Sequence, residues 1–151
     1  MAKPTFKIEG LADLSKALGQ LPKATARNVL VRVGTRRMQV IADDMKDRVP
    51  EMSGDLSDSI IVTTRRPKGG SREPKKSPVE IFAGPGRSPA ATQQEFGNEN
   101  HAPQPFVRPA WDEGAEGLLD GIAEDIRDEI AKAAERLAKK QVRLMKKRSG
   151  G

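Results

Sequence analysis

Residues 50–60, which read Pro-Glu-Met-Ser-Gly-Asp-Leu-Ser-Asp-Ser-Ile, divide the chain into a helical part and a part with extended segments. Pro50 cannot continue a helix, and it biases the residue before it away from helical backbone angles. Gly54 tolerates a tight or left-handed turn. Apolar side chains that follow share one face at a period of two, which indicates the start of a strand: Leu56, Ile60 and Val62. The chain must therefore fold into a structure that contains both helix and sheet.

Before this transition, apolar residues recur at helical spacing. They predict a short amphipathic helix at residues 10–20 and a long helix at residues 22–48. Pro22 suits the first turn of the long helix. Residues 6–8 are interpreted as a short strand or an arm. Gly34 lies inside the long helix, and either close packing or a bend explains it.

After the transition, the pattern indicates strands at residues 56–64 and 79–83, paired as an antiparallel hairpin, and a third short strand at 90–96. A terminal helix is expected to begin near Val107 or Pro109 and to end near Lys146. Its predicted buried row is Leu119, Ile122, Ile126, Ile130, Ala133 and Leu137.

These elements predict an α+β fold, in which a small, mainly antiparallel sheet packs against the long helix of the N-terminal half and the long C-terminal helix. A length of 151 residues suits a single domain, 1–151. Hydrophobic residues make up 36% of the chain and aromatic residues 3%, so the core must be thin and aliphatic. A thin core in a chain of this length suggests that partner surfaces supply part of the burial.

Basic residues concentrate in two segments, although the net charge of the whole chain is only +6. Residues 65–76 carry a net charge of +5, and residues 139–148 carry +6, which leaves about −5 for the remainder. We expect a flexible loop at 65–77 and a basic C-terminal tail at 139–151, both acting as contact arms outside the core. Their cations are Arg65, Arg66, Lys68, Arg72, Lys75 and Lys76 in the loop, and Lys139, Lys140, Arg143, Lys146, Lys147 and Arg148 in the tail.

No residue pattern in the sequence indicates catalysis, a cofactor or a metal site. His101 is the single histidine and lies among prolines, so a surface or loop-bracing role is favoured over a catalytic one. Asp43 and Asp47 share a helical face that would suit a divalent ion, but a solvated face is the better interpretation. Ser53 lacks a histidine relay and is expected to brace its turn. We predict a protein that is not an enzyme.

The motifs occur in an order that resembles the tail-completion or neck proteins of long-tailed bacteriophages, which include minor tail components and head–tail joining proteins. The pattern is a leucine helix, a long helix, Pro-x-x-Ser-Gly-x-Leu, a strand pair, Glu-Phe-Gly, and Pro-x-x-Phe-Val-x-Pro-Ala opening a terminal helix. The resemblance covers residues 8–135, and the two basic segments are less typical of the family. The residues that carry it are Pro50, Ser53, Gly54, Leu56, Glu95, Phe96, Gly97, Pro103, Phe106, Val107, Arg108, Pro109 and Ala110.

The resemblance implies a structural virion protein that is made in the host bacterial cytoplasm and forms a ring of six or twelve copies. Such a ring would join the head-completion complex to the tail tube, beside the head-closure and tail-terminator proteins. We expect part of the stretch 95–111 near a subunit boundary. The interface candidates are Pro50, Ser53, Gly54, Leu56, Glu95, Phe96, Gly97, Phe106, Arg108 and Pro109. No apolar run approaches the roughly 20 residues that span a membrane, and no signal peptide is expected.

The competing interpretation is a basic nucleic-acid-binding module that contacts phage DNA. The two basic segments would neutralise phosphates, but neither contains an aromatic residue on which single-stranded bases would stack. An acidic protein surface is the preferred target of these segments, because a channel that must release DNA should not hold it with many cations. The expected acidic surface is Glu124, Asp125 and Asp128 of a neighbouring subunit.

Overall fold

The computed structural model describes residues 5–50, 54–66, 74 and 77–150, which form six helices and a two-stranded antiparallel sheet. This arrangement confirms the predicted α+β class, with one long helix in the N-terminal half and another at the C-terminus. A single domain over the full length stays a prediction. The elements in chain order are α1 (Thr5–Gly19), α2 (Lys23–Arg48), α3 (Gly54–Asp58), β1 (Ile60–Thr63), β2 (Phe82–Pro85), α4 (Pro89–Phe96), α5 (Val107–Ala115) and α6 (Leu118–Ser149).

Helix α2 is the scaffold of the fold, because the sheet, α5, α6 and α1 all pack against it. Its boundaries match the predicted helix, and Pro22 occupies the capping position before Lys23. Its buried side includes Val33, Ile41 and Met45, which belong to the apolar residues that recur at helical spacing. A Cβ atom at Gly34 would collide with the side chain of Ile81, so close packing, rather than a bend, explains this glycine.

The sheet pairs β1 with β2 in a register that places Ile60 opposite Pro85 and Val62 opposite Ala83. Ile60 is buried, and Val62 and Ala83 pack against the same cluster, so this face covers α2. The second strand lies at Phe82–Pro85 rather than at the predicted 79–83. The physical reason is the register, in which Thr63 lies opposite Phe82: β1 ends at Thr63, so residues 79–81 have no strand to pair with.

Three short segments differ from their predicted conformations. Residues 6–8 belong to α1 and are neither a strand nor an arm, since the sequence spacing of Ile8, Leu11, Leu14 and Leu18 fits one helical row. Residues 56–58 lie in α3, which Ser59 closes by donating its hydroxyl to the carbonyl oxygen of Leu56 at 2.7 Å.

Residues 90–96 form α4, and the predicted third strand is therefore wrong. The Ser88 hydroxyl accepts a hydrogen bond from the Ala91 N–H at 3.3 Å, and Pro89 occupies the first turn. Both are helix-start signals. Gly97, with φ of 74°, ends the helix.

The predicted terminal helix is divided into α5 and α6 at Glu116 and Gly117. Glu116 is extended, and Gly117 has φ of 74°, a left-handed conformation that glycine adopts at little cost. After the break, Leu118 packs against the core, whereas Leu119, predicted to be buried, is 59% exposed. Ile126 and Ala133 of the predicted row are buried.

Two hydrophobic clusters lie along α2. The first joins the C-terminal half of α2 to the sheet, α4 and α5, with Phe106 fully buried at its centre. The second joins the N-terminal half of α2 to α1 and α6 through Leu14, Val29 and Ile126. The first cluster includes two of the motif residues, Phe106 and Ala110.

Candidate interaction surface

Glu95 on α4 connects the two motifs that follow the sheet. Its carboxylate accepts hydrogen bonds from three consecutive backbone N–H groups at the start of α5: Phe106 at 2.8 Å, Val107 at 3.0 Å and Arg108 at 3.0 Å. The first helical N–H groups have no partner within their own helix, and a negative charge there is favourable. Partial burial alone would raise the pKa of Glu95, but these hydrogen bonds and the charge of Arg108 hold the pKa below its usual value.

The segment between the motifs is folded back on itself. Asn98 and His101 form a backbone bridge, and the Gln104 N–H donates to the carbonyl oxygen of Gln94 at 2.8 Å. Glycine is required at position 97 for two reasons. A Cβ atom there would lie 2.8 Å from both the His101 backbone oxygen and the Pro103 ring, and the residue has a positive φ. Glu-Phe-Gly and Pro-x-x-Phe-Val-x-Pro-Ala therefore form one structural unit.

This unit buries one phenylalanine and presents another to solvent. Phe106, predicted as an interface candidate, is fully buried and supports the unit from beneath. Phe96 is 76% exposed, although exposed phenylalanine side chains are unfavourable in water. The Arg108 side chain is exposed, and its Nε atom lies 3.7 Å from Oδ2 of Asp112.

Phe96 borders an apolar groove of about 620 Å³ between α4 and the start of α5. The turn that follows β2, with Pro85, Gly86 and Arg87, forms the other side of this groove, and Val107 contributes to its wall.

A second groove, of about 500 Å³, lies on the opposite side of the same turn. The outward face of the hairpin, including Ile61 and Phe82, lines it together with Met38 of α2 and Trp111 of α5. Ile61 is 53% exposed and Trp111 43% exposed. We call the two grooves and the turn between them the hairpin surface.

Ion pairs between α2 and α6 were not anticipated from the sequence. Arg37 binds Asp125 through two hydrogen bonds of 2.6 and 2.8 Å, and Arg32 binds the buried Glu129 at 2.7 Å. Arg36 also reaches Glu129, at 3.5 Å. The hydrogen bond from Arg37 holds the pKa of Asp125 below its usual value. In the sequence, the only indication of this network is the acid Glu129, which lies within the apolar row of α6.

This network corrects the predicted acidic surface for a neighbouring subunit. Asp125 is engaged within its own chain, so it does not belong to that surface. Glu124 and Asp128 are exposed, and neither forms an ion pair with another residue in the described part of the chain. Asp120, one turn before Glu124, is exposed as well.

The remaining candidate residues do not form a chemical site. Asp43 accepts a hydrogen bond from Gln39 at 2.9 Å, Asp44 pairs with Arg48, and His101 is exposed. Among the described residues, no group of three metal-ligating side chains comes together. Ser53 lies outside the described residues; Pro50 and Leu56 are half-buried, Gly54 is exposed and Pro109 is half-buried.

The two basic segments differ in structure. Arg66 binds Glu80 through hydrogen bonds of 3.0 and 3.1 Å, which joins the two ends of the loop. Arg65 is exposed, while Lys68, Arg72, Lys75 and Lys76 lie outside the described residues. The second segment continues α6, which is helical to Ser149, and it is exposed over residues 139–150.

Across the part of the chain that is described, no helix has the length and apolar character needed to cross a membrane. Comparison of the sequence with protein-family models and with curated proteins, and of the fold with solved structures, gives no match.

Proposed function

We propose that this chain is a structural, non-enzymatic protein of the neck of a long-tailed bacteriophage, where copies of it form a ring between the head-completion complex and the tail tube. The observation that carries the proposal is the hairpin surface. It exposes Phe96, Ile61 and Trp111 around one turn, in a chain whose aromatic content is only 3%. Exposed apolar groups of this size in neighbouring positions are typical of protein contact sites.

The arrangement of the motifs supports this proposal. Glu95 fixes the start of α5, and the same unit holds Phe96 at the surface. A rigid presentation reduces the conformational entropy that is lost when a contact forms. The two motifs on which the resemblance to neck proteins depends therefore serve one purpose, which is to build and present a contact residue.

The partners are other copies of the chain, in six- or twelvefold arrangement, and the neighbouring head-closure, tail-terminator and tail-tube proteins. Contacts of the head-to-tail kind close into rings when the rotation between copies is suitable. The free protein is expected to remain monomeric or weakly associated until a neighbouring ring provides a template.

The decisive experiment is a symmetrised electron-microscopy reconstruction of the phage neck, combined with complementation of a phage that lacks this gene. We expect several copies in a closed ring and loss of joined heads and tails with Phe96→Ser. Val40→Ser is the matched control, because Val40 is 66% exposed on α2 but does not line the hairpin surface. A single asymmetric copy in the neck, or full complementation by Phe96→Ser, would refute the proposal.

The second candidate function is contact with phage DNA, and the exposed basic end of α6 favours it. Phosphate contacts make the logarithm of the binding constant fall linearly with the logarithm of salt concentration. A steep salt slope for binding to duplex DNA that disappears when Lys146, Lys147 and Arg148 are replaced by Ser would support it. Binding that is absent at low salt would exclude it.

A further inference from the structure

The last part of α6 continues beyond the fold. We call residues 134–149 the α6 arm. Every residue of the arm except Leu137 is exposed, whereas the preceding part of α6 is buried against α1 and α2 at Ala123 and Ile126. At about 1.5 Å per residue, the arm is about 24 Å long.

The arm is amphipathic, although no residue in the described part of its own chain covers it. Val142 is 52% exposed, Leu144 53% and Met145 70%. Apolar and small residues continue the buried row of α6 at helical spacing: Ala134, Leu137, Ala138, Leu144 and Met145. A helix whose basic side chains are simply solvated does not need exposed apolar residues along one face. The pattern therefore indicates that another protein surface covers the arm in the assembled state.

The arm is also strongly basic. It holds seven basic residues and one acid, Glu135, which pairs with Lys139 at 3.0 Å. Residues three and four positions apart form one basic row on the helix: Arg136, Lys140, Arg143 and Lys147.

The first half of the same helix carries an exposed acidic row. Asp120, Glu124 and Asp128 are spaced by four residues and face solvent. Leu119, one position before Asp120 in the same turn of the helix, is 59% exposed. The first half of α6 therefore exposes acids of opposite charge to the arm and an apolar side chain, which are the two properties that the arm requires of a partner.

One chain cannot bring its own arm and acidic row together. Glu124 and Arg143 lie 19 residues apart in one continuous helix, which corresponds to about 28 Å along the axis. A second copy of the chain has no such restriction.

We propose that the α6 arm of each copy docks on the acidic row of the next copy through Glu124 and Asp128, with its apolar residues covered in the same contact. This inference rests on the proposed ring and names one of its contacts. Pairing of two arms with each other is unfavourable, because it would bring two segments of like charge together. Duplex DNA would neutralise the cations but leave Val142, Leu144 and Met145 uncovered.

The test uses the full-length protein at the highest concentration at which it remains soluble. Unlabelled and nitrogen-15-labelled chains are mixed, treated with a carbodiimide that joins lysine to carboxylate without a spacer, and analysed by mass spectrometry. We expect products between chains that join Lys140 or Lys147 to Glu124 or Asp128, and their yield falls as ionic strength rises.

Charge reversal gives the control. In the arm variant Lys140→Glu/Arg143→Glu, the products that join Lys147 to Glu124 or Asp128 should fall by more than about tenfold, because like charges then face each other. The row variant Glu124→Lys/Asp128→Lys has no carboxylate to couple at these positions, and it serves as the partner of the arm variant. A mixture of the two variants should regain products between the arm and the row, and the conservative Lys140→Arg/Arg143→Lys should keep those at Lys147. Circular dichroism and melting temperature check that each variant is folded.

Three outcomes overturn the inference: no product between chains, products of the arm lysines with other carboxylates, or a mixture of variants that behaves like each variant alone. Binding of the arm to duplex DNA without products between chains would overturn it in favour of nucleic acid. Failure of the proposed function is distinguishable. Assembly that stops at a dimer keeps the arm contact and refutes the ring, whereas a neck ring without arm contact refutes only the inference.

Discussion

Removal of the Glu95 carboxylate should destabilise the protein through the start of α5, without removing any hydrophobic contact. Glu95→Ala leaves three N–H groups without their acceptor, and one of them belongs to the fully buried Phe106. Loss of a helix-capping side chain costs about 0.5–2 kcal/mol, and an unsatisfied buried donor costs about 1–3 kcal/mol. Because Glu95 is only half-buried and water can reach some of these groups, we expect a loss of about 2 kcal/mol.

Such a loss corresponds to a decrease in melting temperature of about 4–8 °C for a chain of this size. Urea unfolding followed by circular dichroism measures the free energy directly. Glu95→Gln should cost about half as much, since the amide keeps one acceptor oxygen. The matched control is Glu99→Ala, which removes an exposed acid in the adjacent turn.

The dependence on pH gives a second test of the same contact. The pKa of Glu95 is lowered in the folded protein, so the carboxylate stabilises the fold above the unfolded pKa of about 4.3. That contribution is lost as the pH falls through the lower folded pKa. The difference in unfolding free energy between wild type and Glu95→Gln should therefore be constant near neutral pH and shrink in acid. A difference that grows in acid, or an Ala variant as stable as wild type, would refute the reasoning.

Three further substitutions test the packing and charge of the fold. Phe106→Ala should lose about 3–5 kcal/mol of unfolding free energy in urea, because Phe106 is fully buried. Phe96→Ala should change it by less than about 0.5 kcal/mol, because Phe96 is exposed. Equal losses would contradict the assignment of Phe106 to the core and Phe96 to the surface. Gly34→Val should lose about 1–3 kcal/mol by displacing the Ile81 side chain, and an unchanged melting temperature would show that this site has free space. Arg37 lowers the pKa of Asp125, so Asp125→Asn should reduce the loss of unfolding free energy as the pH falls. If the unfolding free energy of this variant falls in acid as much as that of wild type, the ion pair with Arg37 does not stabilise the fold.

The long helices could be predicted from the sequence because many apolar positions repeat at one period. Val33, Ile41 and Met45 define the buried side of α2 without any knowledge of what covers it. Short elements contain too few apolar positions for a period to be recognised. The stretch 90–96 was predicted as a strand, although Ser88 and Pro89 before it and Gly97 after it are helix-boundary signals.

The candidate surface was only partly predictable, for a different physical reason. Motif spacing placed Glu95, Phe96 and Phe106 in one region, but it did not show which aromatic side chain is buried. That depends on the packing of α5 against α2, where a Cβ atom at Gly114 would lie 2.6 Å from the Ile41 side chain. The ion pairs of α2 with α6 join residues 88–97 positions apart, and only the packed helices bring them together.

The acids of α6 serve two purposes that their sequence spacing does not separate. Asp125 and Glu129 face α2 and are paired with arginines there, where partial burial strengthens the interaction and reduces screening by salt. Glu124 and Asp128 differ from them by one position each, which turns their side chains by about 100° around the helix to the solvent. The inner pairs fix α6 against the fold. Because α6 is one continuous helix, fixing its first half also fixes the direction of the arm, so a contact made by the arm is set by the same ion pairs that stabilise the core.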